Sequence, residues 1–269
     1  MIVLLLLSIV ILVSSYTTNT ITRSNTRLLS NGNDDIITSF VKRFLPTPEA
    51  VGLTRTGNRV ENYPAVLDKY ADVLAEDGND DRALIRQTLA QTNLETRPLK
   101  LLYDADKDGW NAKKFHEKVD KMGPCVVIAY TKSGGVVGGY NPTGWVNYGE
   151  MRGSIAAFLF LFPNGDIKSR PVKVRKIGGA GLAQIDDGSG PKFGSEGLTI
   201  PLESSNPKLV RSKLGLYYDK LPATYPNGGR SLLPGGLFED QLKKLRVYGG
   251  VYPKGERIPY SDALPYQLN

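Results

Sequence analysis

Cysteine and histidine are nearly missing: the 269-residue chain has one of each, Cys125 and His116. A lone cysteine excludes an intramolecular disulfide, a zinc ribbon and a CxxC redox centre, and a lone histidine excludes a multi-histidine metal site. No uncharged apolar run reaches the roughly 20 residues that a spanning helix needs. There is no N-x-[ST] sequon, because Asn141 is followed by Pro142, so glycosylation gives no support for secretion. A GxSxG elbow and a GK[ST] phosphate loop are also missing, and no repeat has a fixed period.

What is present describes a globular chain rich in turns. Hydrophobic residues make 41% and charged residues 23%, which excludes wholesale disorder. With 29 glycines and 17 prolines, many turns joining short elements are expected, not an all-helical bundle. The net charge of +7 permits an anionic partner, but the positive residues are dispersed, as on an ordinary solvated surface.

Ile2 to Val13 is apolar except for Ser8, the length of a signal-peptide core, with Val13 and Ser15 at the small-residue positions before a cut at Tyr16. The reading adopted is a cleaved signal, hence the secretory pathway or the extracellular space. Two others stay open. Arg23, Arg27, Lys42 and Arg43 all follow the run and none precedes it, as in an uncleaved anchor facing the cytosol. The Ser/Thr-rich, acid-free stretch Thr17 to Ser30 resembles an organelle transit segment. Membrane contact is expected only through residues 1–15, if they are retained.

A polar linker follows over 16–35, then a helical extension over 36–98. In the extension, Ile36, Phe40, Val41 and Phe44 have helical spacing before Pro46, and a second helix is expected from Asp80 or Asp81 to about Leu94. A short helix after Asn111 carries Phe115, Val119 and Met122 and stops at Gly123-Pro124. The period then changes to that of strands. Val126 to Tyr130 and Val136 to Tyr140 flank a Lys-Ser-Gly-Gly turn, and Ala156 to Phe162 is a run suited to a strand buried on both faces. Val172 and Val174 alternate with Lys173 and Arg175, which predicts an edge strand, begun by Pro171, with one wet face. Further strands are expected at Leu198 to Leu202, Leu214 to Tyr218 and Leu242 to Val251. The fold class is α+β: a two-layer antiparallel β-sandwich flanked by helices, with an N-terminal helical extension.

The run LLYDADKDGWNAKKFHEKVDKMGPCVVIAYTKSGGVVGGYNPTGW, Leu101 to Trp145, resembles the TLDc (TBC/LysM-associated) domain family. The resemblance rests on Leu101-Leu102-Tyr103, Asp108-Gly109, Phe115-His116, Asp120, Gly123-Pro124, Gly138-Gly139-Tyr140 and Trp145. Phe158-Leu159-Phe160, Phe193-Gly194, Leu198-Thr199-Ile200 and Leu242 to Tyr248 extend it, so that a TLDc-like domain over 99–252 precedes a tail over 253–269. The resemblance implies a β-sandwich without agreed catalytic residues, protection against oxidative stress, and binding to the cytosolic sector of the vacuolar-type proton ATPase. A cleaved signal conflicts with the last of these.

Each candidate chemistry has a plainer reading beside it. Asp104, Asp106, Asp108 and Gly109 copy the first half of a calcium loop, but Phe115 stands where a bidentate Glu is required, and no metal is expected. His116 and Asp120 are spaced for a hydrogen bond along a helix and offer an oriented base, yet Cys125 opens an apolar strand as an inert thiol. Gly178 to Gly181 and Gly188 to Gly197 read as loops, and Glu150 beside Arg152 as a structural pair. The densest basic run is Lys168 to Lys176, and Lys173, Arg175 and Lys176 are the candidate binding residues, for an anion or a protein. Nucleic acid is not expected, because no aromatics interleave for stacking. The expectation is therefore a non-enzymatic interaction module with no cofactor. The alternatives are an enzyme of hydrolytic or redox type, or a secreted binder of acidic polymers.

Overall fold

The computed structural model of the chain describes residues 53–55, 64–178, 183–259 and 266–268. The leader, the linker and the helix expected at Ile36 to Leu45 lie outside these residues. The elements named below belong to the unit Thr54–Asn269. No helix among the described residues is long and apolar enough to cross a membrane.

The fold is α+β, as expected, with few helices around a large antiparallel sheet. Helix α1 (Asp81–Arg86) comes first, then strand β1 (Leu99–Asp104), the single turn α2 (Ala105–Asp108) and helix α3 (Ala112–Val119). Strands β2 (Cys125–Thr131), β3 (Val136–Asn141), β4 (Glu150–Arg152), β5 (Phe158–Phe162) and β6 (Val172–Arg175) follow. The chain continues through β7 (Gln184–Asp186), β8 (Lys192–Phe193), β9 (Leu198–Thr199), β10 (Leu209–Arg211) and the long β11 (Glu239–Gly250).

Nine strands join in the order β6-β5-β3-β2-β11-β10-β9-β8, with β1 also paired to β11, while β4 and β7 form a separate two-stranded arm. Strand β11 connects the layers. It pairs with β10 from Glu239 to Gln241, with β2 from Leu242 to Gly249, and with β1 from Arg246 to Gly250. Its register shifts between Leu242 and Lys244, the kind of bulge that bends a strand from one layer into the next.

Period-2 alternation divides the side chains of the large layer between two cores. Val127, Ala129, Val137, Leu159, Leu161 and Val174 face inward, against Phe193, Leu198 and Val210 of the smaller layer. Val126, Ile128, Val136, Phe158, Phe160 and Phe162 face the other way and are covered by Ile85, Leu89, Leu94 and Leu99. Gly138 and Gly139 sit back to back between them. A Cβ on Gly138 would collide with Phe160 and the Val127 carbonyl, and one on Gly139 would lie 2.7 Å from the Phe193 ring.

Three local expectations change. The helix from Asp81 does not reach Leu94: it ends at Arg86 and tightens into a 3-10 turn, Gln87–Leu89, with Gln91 at φ 61°. The chain folds back there because Arg86 Nη1 donates to the carbonyls of Leu94 and Glu95. Leu214 to Tyr218 is not a strand, since Gly215 takes φ 106°, and Leu209–Arg211 pairs with β11 instead. Strand β6 ends the sheet order, but it has no face that is wet throughout, because residues 69 to 88 lie over Lys173.

Candidate functional site

The basic run was expected to show Lys173 and Arg175 together on a solvent face. They do share a face, but that face is the one bearing Phe158 and Phe160, their register partners across β5. Residues 69 to 88 cover it at Lys173, which is 5% exposed. Its ammonium donates to the Lys69 carbonyl at 2.7 Å and reaches the Thr88 carbonyl at 3.5 Å, above the rings of Tyr70 and Phe158. Burial lowers the amine's pKa to about 8, against the opposing pull of Asp68 and Glu95. Lys173 is therefore an internal cation and not part of an open binding stripe.

Two residues on, the cover is gone and Arg175 is exposed, 3.6 Å from Asp219. From here Arg175 to Gly178 runs beside Leu216 to Asp219 as a short ribbon. The Asp219 amide donates to the Arg175 carbonyl, Lys176 bridges to Tyr218, and the Ile177 amide donates to the Tyr217 carbonyl. Tyr218 is buried in the inner core, and its hydroxyl donates to the Ala183 carbonyl at 2.6 Å, which fixes the ribbon to the body. The half-buried Lys176 ammonium donates to the Gly178 carbonyl, and burial lowers its pKa. Ile177 and Leu216, in contrast, are 48% and 55% exposed.

The chemical candidates are each held by neighbouring groups. Asn111 caps α3 through Lys114 N, and one turn on His116 Nδ1 lies 2.8 Å from Asp120 Oδ1, as the spacing predicts. The pair borders an open hollow of about 480 Å³ with Lys113, Glu117, Asn147 and Gly188. Cys125 is fully buried in β2, its thiol donating to the Gly123 carbonyl at 3.0 Å. Burial first, and the Asp120 charge second, push that thiol far above the usual range. The three aspartates of the half calcium loop are turned to other uses. Asp104 accepts from Asp106 N and Arg246 Nε, Asp108 accepts from Asp104 N, and Asp106 accepts from the Trp110 indole. Among the described residues no three His, Cys, Asp or Glu side chains gather as metal ligands do.

A network that the sequence did not signal joins the cover to the sheet. Asp81, at the start of α1, accepts from Tyr130 Oη at 2.6 Å and from Arg246 Nη1 at 3.0 Å, with Lys244 3.4 Å away. Partial burial works against the Arg246 charge, but the Asp81 and Asp104 carboxylates raise its pKa above the ordinary arginine value.

Residues 79–221 match the TLDc domain family, more than half of the chain. The chain belongs to the TLDc family. No curated relative matches it. The match begins within the segment assigned from sequence to the helical extension, so α1 falls inside the matched TLDc region, while β11 lies beyond its end. The motif residues occupy distinct places in the TLDc fold: Leu101 to Tyr103 on β1, Phe115-His116 on α3, Gly138 to Tyr140 on β3 and Phe158 to Phe160 on β5. Phe115 packs edge-on to both Tyr103 and Trp145, and Trp145 edge-on to Phe193, so much of the motif forms one aromatic seam of the inner core.

Ile177 and Leu216 are exposed apolar residues that sequence reasoning did not single out. Ile177 follows the basic run directly and was legible as its apolar neighbour. Leu216 was hidden by the strand expected over it.

Proposed function

We propose that this TLDc domain is a non-enzymatic protein-interaction module acting in protection against oxidative stress. The observation that carries the reading is the state of Cys125. Thiol redox chemistry needs an accessible thiolate, whereas this thiol is sealed in the sheet and kept protonated. The exposed ribbon beside β6 supplies a surface suited to binding. On this reading the partner is a protein: the cytosolic sector of the vacuolar-type proton ATPase if the domain is cytosolic, or a luminal or extracellular protein if residues 1–15 are a cleaved signal.

One observation favours the enzymatic alternative. The His116–Asp120 pair borders an open hollow, an arrangement that suits a general base. The double variant His116→Gln, Cys125→Ala separates the two readings. Cells lacking the protein are complemented with wild type or variant and challenged with peroxide. Retained protection supports the module, whereas loss of protection by a variant with wild-type expression and melting temperature overturns it. Protease protection in intact cells, with N-terminal sequencing of the mature chain, then chooses the compartment and hence the partner.

A further inference from the structure

The geometry points to residues 64–74 as a displaceable strap: an acidic segment of the chain itself that lies on the basic strand β6 and masks Lys173 from an acidic segment of a partner protein. The inference rests on the interaction-module reading above and adds how the module is switched.

The strap has the charge of a ligand for the surface beneath it. Residues 64–74 carry Asp68 and Asp72 against Lys69, and Glu76 and Asp77 follow directly. Residues 168–176 carry Lys168, Arg170, Lys173, Arg175 and Lys176 and no acid. The contacts join the two segments. Lys173 Nζ donates to the Lys69 carbonyl at 2.7 Å, and Tyr70 Oη donates to the Pro171 carbonyl at 3.1 Å. The Arg170 and Lys173 cations each lie 5.3 Å from the centre of the Tyr70 ring. Burial lowers the Lys173 pKa to about 8, and the charge of Asp68 is first among those that oppose the fall.

The strap is also lightly held. It forms no helix or strand, and within 64–74 Ala71 alone is buried, its amide donating to the Gln87 carbonyl at 3.2 Å. The apolar cover of the sheet's outer face comes instead from Ile85, Leu89, Leu94 and Leu99, to which the strap adds the partly buried Ala65. The fully buried Arg86–Asp77 pair fixes the chain just beyond the strap. Residues 64–74 can therefore open while the body stays folded, as segments with few buried contacts do. Opening takes the Lys69 carbonyl from Lys173 and leaves it the long approach to the Thr88 carbonyl, 3.5 Å away, on the face it shares with Arg175. A carboxylate arriving there replaces a neutral acceptor by a charged one, which makes the stronger bond, so an acidic partner segment competes with the strap.

The test uses the full chain. Acetylation by a water-soluble N-hydroxysuccinimide ester, read by mass spectrometry, reports access to the Lys173 amine, with the exposed Lys132 as reference. Lys173 should react more slowly than Lys132 in wild type, and about tenfold or more faster in Tyr70→Ala, which loses the hydroxyl bond and the ring, than in wild type. A fluorescein-labelled peptide of residues 64–74, followed by anisotropy, should bind Tyr70→Ala about tenfold or more tightly than wild type, where the intact strap competes within the chain. The same peptide with Asp68→Asn and Asp72→Asn should bind about fivefold or more weakly. Acetylation of Lys173 at the Lys132 rate in wild type, no faster acetylation in Tyr70→Ala, equal peptide affinity for the two proteins, or no loss on removing the acids overturns the inference. Cooperative melting curves establish that the body folds. If Tyr70→Ala fails to fold, Tyr70→Phe, which loses the hydroxyl bond alone, decides in its place: acetylation of Lys173 should rise about threefold or more, and an unchanged rate overturns the inference. Failure here leaves the peroxide assay of the His116, Cys125 variant intact, so the strap and the module reading stand or fall separately.

Discussion

Inside the sandwich, β2, β3 and β5 bury Val127, Val137, Leu159 and Leu161 against Phe193, Leu198 and Val210. On the opposite face the same strands bury Val126, Val136, Phe158 and Phe160 beneath Ile85, Leu89 and Leu94. The apolar content is alike, but the covers differ. The inner cover is largely strands whose backbone groups pair in ladders. The outer cover, residues 64–98, has one six-residue helix and two 3-10 turns, so many of its carbonyls have no ladder partner. Buried cations satisfy some of them: Arg86 donates to Leu94 and Glu95, and Lys173 donates to Lys69 and approaches Thr88. An irregular cover over an apolar sheet thus requires buried charge, because a desolvated carbonyl without a donor is costly. The inner core has no such requirement.

The largest effect should come from breaking the outer arrangement at its centre. Arg86 and Asp77 are both fully buried and joined by paired hydrogen bonds of 2.7 and 2.8 Å. Arg86→Met strands the Asp77 carboxylate and two carbonyls, and should cost about 3–5 kcal/mol in urea unfolding. Asp77→Leu with Arg86→Met should recover part of that loss, but not all, since the carbonyls of Leu94 and Glu95 stay without a donor. Full recovery would show that the ion pair, and not carbonyl satisfaction, sets the requirement.

The inner face should fail by volume alone. Gly139→Ala places a Cβ 2.7 Å from Phe193 and 2.9 Å from Leu159, and should lower stability by about 1–3 kcal/mol with little dependence on pH or salt. Phe193→Leu should relieve part of this in the double variant, because the two sites touch. Thermal melts of the four proteins of this cycle check the coupling.

These contrasts mark how far the sequence was legible. The hairpin β2–β3, the doubly buried β5, helix α3 and its His116–Asp120 bond were readable because each rests on local period or spacing. The aromatic motif residues led to the TLDc family for the same reason. What could not be read is what covers a face. Alternation at Val172 to Arg175 groups Lys173 with Arg175, but it does not say that a segment from 69 to 88 lies over one and not the other. The early end of α1 and the joining of Asp81 to Arg246 have the same origin: their partners lie far along the chain. The ribbon was missed because Leu214 to Tyr218 has strand-like composition, while Gly215 at φ 106° breaks the strand.

Lys173 allows the outer cover to be probed by pH. Its pKa is about 8 in the folded protein and near 10.5 when exposed, so between these values the unfolded chain holds the proton more tightly. Stability attributable to this group should therefore rise as pH increases from about 8 towards 10.5, by an amount on the order of 1–3 kcal/mol. Below the lower value it should contribute no slope. Lys173→Met should remove that rise, and the difference between wild-type and variant urea midpoints across this range isolates it from the other lysines. Identical slopes would mean that the ammonium is hydrated and that the cover over it is open.

Arg175, on the same strand and the same face, is the control that sharpens the last comparison. Its guanidinium is about half exposed and 3.6 Å from Asp219, so Arg175→Gln should change stability by no more than about 0.5 kcal/mol and leave its pH slope unaltered. The two substitutions then separate by role, although sequence alternation treats the residues alike. Lys173 should affect folding, because its donors hold carbonyls of the cover, whereas Arg175 should affect only association at the ribbon. A large stability loss in Arg175→Gln would place the cover over both residues, and the ribbon would no longer be a free surface.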